Sequence, residues 1–201
     1  MSFLLISPEQ HFSEVLKEAC QQRKVKAPPL IETYIIHLLK YYLNTKNLYQ
    51  NLDSEQSKSV PDTLAEMYLI AMNSEPPKNK EIMKGLADRA LYVSGFFGDS
   101  LQRKTVDIDY YSNIGSAAYS NLATWSKDDT VASVYKTFSK SFLAYVDVLS
   151  YISEKSRIQS DQNVLRLYEK YIKTGSDLAR DRLNELGVMP LPKDQLKIKK
   201  A

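Results

Sequence analysis

Apolar residues return at every third or fourth position along nearly the whole chain, and strand-like alternation survives nowhere. That period gathers side chains on one face of an α-helix and predicts an all-α fold. The first helix is expected to start at Ser7-Pro8-Glu9-Gln10, where the serine oxygen caps a free amide and proline fits the first turn. It should run to about Arg23 with Phe12, Val15, Leu16 and Ala19 inward. Pro28-Pro29 ends it and opens a second helix to about Leu43, whose wide stripe holds Ile31, Tyr34, Ile35, Leu38, Leu39 and Tyr42, with His37 packed beside it. Asn44 to Ser59 is polar and reads as a loop. A third helix, opened by Pro61 and Asp62 and broken at Asn73 to Pro77, turns Leu64, Met67, Tyr68 and Ala71 inward. Leu69, Ile70 and Met72 make it apolar nearly all round, which predicts burial on two sides or an oligomer contact.

The fourth helix begins near Asn79 and aligns Ile82, Leu86, Ala90, Val93 and Phe97, with Gly85 and Gly95 implying close backbone approach or an early end near Gly95 or Gly98. A fifth runs from Thr105 or Asp107 to about Trp125, and its small residues Gly115 to Ala118 permit a tight crossing. The sixth spans Asp128 or Asp129 to about Ser153, with Val131, Val134, Phe138, Phe142, Tyr145, Leu149 and Ile152 on one stripe. A loop at about Glu154 to Gln159 then forces an antiparallel return through a seventh helix, Ser160 to Leu186, with Leu178 and Leu186 inward and an interruption at Gly175. The expected architecture is an irregular bundle of about seven helices with a long antiparallel C-terminal pair. Residues 1–190 form a single helical domain in this reading, and 191–201 a basic flexible tail.

Composition narrows the partners. A chain of 201 residues with 43% apolar and 25% charged content can bury a sufficient core without disulfide or metal. A net charge of +3, with one basic cluster of Lys193, Lys197, Lys199 and Lys200 diluted by Asp194, predicts no nucleic-acid partner. Cys20 falls on a helical stripe and reads as an inert buried thiol. No apolar run is long enough to span a membrane, and the start MSFLLISPEQ lacks the features of a secretory signal, so a cytoplasmic protein is expected.

Classical chemistry is sparse. The two histidines, His11 and His37, have no metal-ligand spacing, and neither a phosphate-binding loop nor a dinucleotide fingerprint occurs. No metal, cofactor or catalytic grouping is expected. The densest mixture of aromatic, basic and acidic residues is Lys84 to Tyr119, where Asp88, Arg89, Tyr92, Phe96, Phe97, Arg103, Lys104, Asp107, Asp109, Tyr110 and Tyr111 are the candidate binding residues. One account is structural: the acids complement a helix N-terminus and pair with arginine across the turn. The other is recognition, with Arg103 and Lys104 taking an anionic group while Phe96, Phe97, Tyr110 and Tyr111 give flat apolar contact.

The residues GFFGDSLQRKTVDIDYY, followed by G-x-x-A-Y, resemble a family of helical bacterial proteins of unknown function, best over Leu86 to Leu122. The resemblance implies a bacterial source and brings no reaction, substrate or cofactor. The residues themselves lead first to a non-enzymatic interaction or regulatory module that presents the corner between the fourth and fifth helices to a protein partner and self-associates through a helical face. The alternative is a small-molecule or anion site, enzymatic or not, formed by Asp88, Arg89, Arg103, Asp107 and Asp109.

Overall fold

The structure is a computed structural model that describes residues 7–44, 47, 63–98 and 108–189. Arg103, Lys104, Asp107, the loop residues 48–62 with Pro61 and Asp62, and the tail at 191–201 lie outside the described residues. The described residues hold α1 (Pro8–Arg23), α2 (Pro29–Leu43), α3 (Leu64–Met72), α4 (Lys78–Phe96), α5 (Ile108–Trp125), α6 (Asp129–Lys140), α7 (Phe142–Thr174) and α8 (Asp177–Glu185), and no strand. The fold is an all-α bundle, as the period of the apolar positions dictates.

Local chemistry sets the ends. Ser7 accepts from the amide of Gln10 at 3.2 Å, and Lys24 stops α1 in the left-handed region at φ 55°. Thr63 and Glu66 form a reciprocal capping box at the start of α3. Asp128 accepts from the amides of Thr130 and Val131, and those bonds hold its carboxyl below the usual range.

The chain divides into two compact units, residues 1–153 and 154–201, with the division inside α7. The first unit packs α1 to α6 and the start of α7 around one core that runs from Phe12 to Ile152 and includes Leu16, Ile35, Leu86, Phe138 and Leu149. The second has its own small cluster, Tyr171 with Ala179 and Leu183, against which Val164, Leu167, Tyr168 and Val188 pack.

Several expectations change. The predicted sixth helix breaks at Ser141, which leaves helical geometry at φ −120° and ψ 29°; no glycine or proline marks that step. The predicted loop at 154–159 is helix, because EKSRIQ is polar but composed mostly of good helix formers. The turn of the C-terminal pair therefore moves to Gly175-Ser176, with Gly175 at φ 62°, and its second arm is the nine-residue α8, laid back on the last turns of α7. That turn resets the helical phase: Ala179 and Leu183 face inward, while Leu178 and Leu186 are exposed. His37, expected to pack, is exposed on α2, and Phe97 and Val131, expected on inner stripes, are exposed because one lies past the end of α4 and the other in the first turn of α6.

Candidate functional site

The polar centre of the first unit is Asp88, a carboxylate that is only 7% exposed. Its Oδ1 accepts from the hydroxyls of Tyr34 on α2 at 2.5 Å and Tyr119 on α5 at 2.8 Å. Its Oδ2 accepts from the Lys84 ammonium one turn back on α4 at 2.6 Å, and that ammonium also stands 5.2 Å from the centre of the Tyr34 ring. A buried charge is tolerated only when paired and hydrogen-bonded, and Asp88 is both.

The surroundings titrate accordingly. Burial, and then the charge of Asp88, push the Tyr34 and Tyr119 hydroxyls well above the ordinary phenol range. Burial works against the Lys84 cation, yet Asp88 outweighs it and leaves the ammonium above its usual value. Tyr119 also stacks on Tyr135 and Phe138, so the carboxylate is roofed by aromatic rings. Both oxygens of Asp88 are thus engaged by the protein's own donors. The result is a three-helix tie between α2, α4 and α5.

Further along α4 the rings line up. Tyr42 stacks on Tyr92 with centroids 4.4 Å apart, and Tyr92 stacks on Phe96 at 4.5 Å. Phe97, just past the helix end, meets Tyr92 edge-on and stays 43% exposed. The carbonyls of Gly95 and Phe96, which no further turn of α4 can satisfy, accept from Ser150 and Ser153 of α7 at 2.9 and 3.2 Å. The end of α4 is thereby held firmly while its last ring faces outward. Across the corner, Tyr110 and Tyr111 meet edge-on at 5.6 Å and are half-buried, and Arg89 lies near enough to Tyr111 for its charge to offset part of the upward pull of burial there.

The candidate residues thus separate. Tyr92, Phe96 and Phe97 form one aromatic row at the end of α4, while Tyr110 and Tyr111 lie in the first turn of α5 with Arg89 near Tyr111. Asp88 belongs to the interior tie. Asp109 is exposed in the first turn of α5 and is not among the partners of Asp88. The residues that sequence reasoning missed are Tyr34, Lys84 and Tyr119. Lys84 was readable as the i,i+4 mate of an acid set among apolar residues; the two tyrosines, 54 and 31 residues away, were not.

Grooves open beside α5, among them two lined by described residues. One, about 490 Å³, lies between α5 and α6 and is lined by Ser120, Thr124, Asp129, Ser133, Lys136 and Lys140 among others. The second, about 290 Å³, lies between α3 and α5 and is lined by Ala65, Tyr68, Leu69, Ile114 and Ala117. Neither reaches Asp88, Arg89 or Asp109. Among the described residues no group of three or more histidine, cysteine or acidic side chains is placed to hold a metal ion, and no helix is long and apolar enough to cross a membrane. Cys20 is buried, which raises its thiol to about 11. No protein-family model, no curated protein and no solved structure matches the chain.

Proposed function

We propose that the chain is a non-enzymatic protein-interaction module whose contact surface is the corner between α4 and α5. The observation that carries this reading is the pairing of a rigid mount with an outward ring. Phe97 stays half in water although Tyr92 and Phe96 behind it are stacked, and α7 hydroxyls hold the helix end that bears them. A preorganised aromatic at the surface is the kind of anchor that supplies most of the free energy of a protein contact, since little side-chain freedom is lost on binding. What supports a non-enzymatic reading is that Asp88, the one buried carboxylate among the described residues, is held by Tyr34, Tyr119 and Lys84.

A photo-reactive phenylalanine analogue at position 97 tests this in cells of the chain's source, with the same analogue at the exposed Leu143 of α7 as the control. Discrete adducts that depend on position 97 are expected. Equal labelling from both positions, or none from 97, removes the corner as a contact surface.

A further inference from the structure

We propose that the paired outer flanks of α3 and α5 are a second contact surface and that its occupant is another copy of this chain, giving a weak two-fold dimer. The inference rests on the interaction reading and names a partner for it. On α3 the exposed flank carries Ala65, Leu69 and Met72, with Leu69 62% exposed. On α5 the facing flank carries Ile114, Ala117 and Asn121, spaced by three and four residues. Tyr68 bridges them, its hydroxyl accepting from the Asn121 amide at 2.7 Å. Tyr110 joins the helix starts, its hydroxyl accepting from the Ala65 amide at 3.1 Å. The groove of about 290 Å³ runs between the two flanks.

Charge identifies the occupant. The nine residues of α3 and the eighteen of α5 include two charged side chains, Glu66 and Asp109, each in the first turn of its helix, and no lysine or arginine. A chain that is 25% charged would place about seven there, so the face is depleted of the residues that interface cores exclude. Different proteins select one another largely through complementary charge, and these helices offer only two acids, at their starts, and no basic group. In a two-fold contact the same patch meets itself, so any charge near the axis would oppose its own kind. With the axis at the Met72 and Asn121 end, away from those first turns, the apolar flank meets little such penalty, and Asn121 and Tyr68 can bond reciprocally across it. Size sets the strength. A face about 12 Å along each helix and two helices wide is well below the roughly 800 Å² per partner of a standard interface, so the dimer is weak, reversible and concentration-dependent.

Sedimentation of the purified full chain from about 1 to about 500 µM brackets a micromolar Kd. The expected result is a mass that moves from one chain toward two. Leu69→Asp should weaken association at least tenfold, with an unchanged melting temperature because Leu69 is exposed. Met72→Lys on the same flank replaces it should the first variant fail to fold, and Leu143→Asp is the control. A single-chain mass at every concentration, or equal weakening by Leu69→Asp and Leu143→Asp, overturns the proposal. Position-97 adducts to other proteins alongside a monomeric mass would remove the second copy and leave the corner reading standing.

Discussion

Asp88 shows how one ionised side chain organises three helices. Tyr34, Tyr119 and Lys84 are all bonded to it, so each partner keeps its proton more tightly folded than unfolded. Unfolded tyrosines lose their protons near pH 10. Above that pH the unfolded chain binds fewer protons than the folded one, so stability falls as pH rises, by about 1.4 kcal/mol per pH unit for each tyrosine held protonated. Lys84 has the same sign: its contribution is intact below the unfolded lysine value and is lost as pH passes through the raised folded one. Tyr119→Phe removes one proton from that difference. It should lower stability at pH 7 by about 1.5–3 kcal/mol, since a hydrogen bond to a buried carboxylate is lost, and flatten the decline between pH 10 and 11. Thermal or urea melts of both chains across that range measure it. An unchanged alkaline slope would mean that Tyr119 is not held protonated by burial and Asp88. The sequence pointed to Asp88 because an acid stood among apolar residues. It missed Tyr34 and Tyr119, which become neighbours of Asp88 only when α2 and α5 pack on α4.

At the scale of elements, small residues decide how close the helices come. A Cβ on Gly95 would collide with the Cβ of Leu149, and one on Gly115 would sit 2.5 Å from Cε2 of Phe142. Both glycines therefore mark sites where α7 meets another helix, as expected for glycines retained inside helical stretches that favour alanine by about 1 kcal/mol. Gly95→Ala gains that propensity and meets the backbone-proximal atom of Leu149, which cannot rotate away. The net effect should be a loss of about 1–3 kcal/mol, the usual cost of overpacking, read as a lower denaturant midpoint with an unchanged slope. A stabilised variant would show that α7 can recede from α4. Helix identity was legible because a period of 3.6 is insensitive to which neighbour covers the stripe. Breaks and joins were less so: the kink at Ser141 has no glycine or proline to announce it, and the polar run at 154–159 was read as a loop though nothing in it disfavours helix.

At the scale of the whole chain, Ile152 is the last residue of α7 in the core of the first unit, and the run Glu154 to Arg157 that follows is partly or fully exposed. The first unit has closed its core by that point, with Tyr145, Leu149 and Ile152 of α7 as its last buried members. The Ser150 and Ser153 hydroxyls that finish α4 are also already in place. A unit of about 150 residues buries close to 70% of its unfolded surface, enough for independent stability. A chain ended after Arg157 keeps one spare turn beyond Ile152, so the four open carbonyls at the new terminus fall in an exposed stretch where water satisfies them. This shortened chain should fold on its own and melt in one cooperative step. If the missing part contributes no more than about 2 kcal/mol, its melting temperature should lie within about 8 °C of the full chain. Circular dichroism against temperature measures this directly. Helical signal that fades without a transition would mean that the Phe12-to-Ile152 core does not stand alone and that residues beyond 157 are needed to close it.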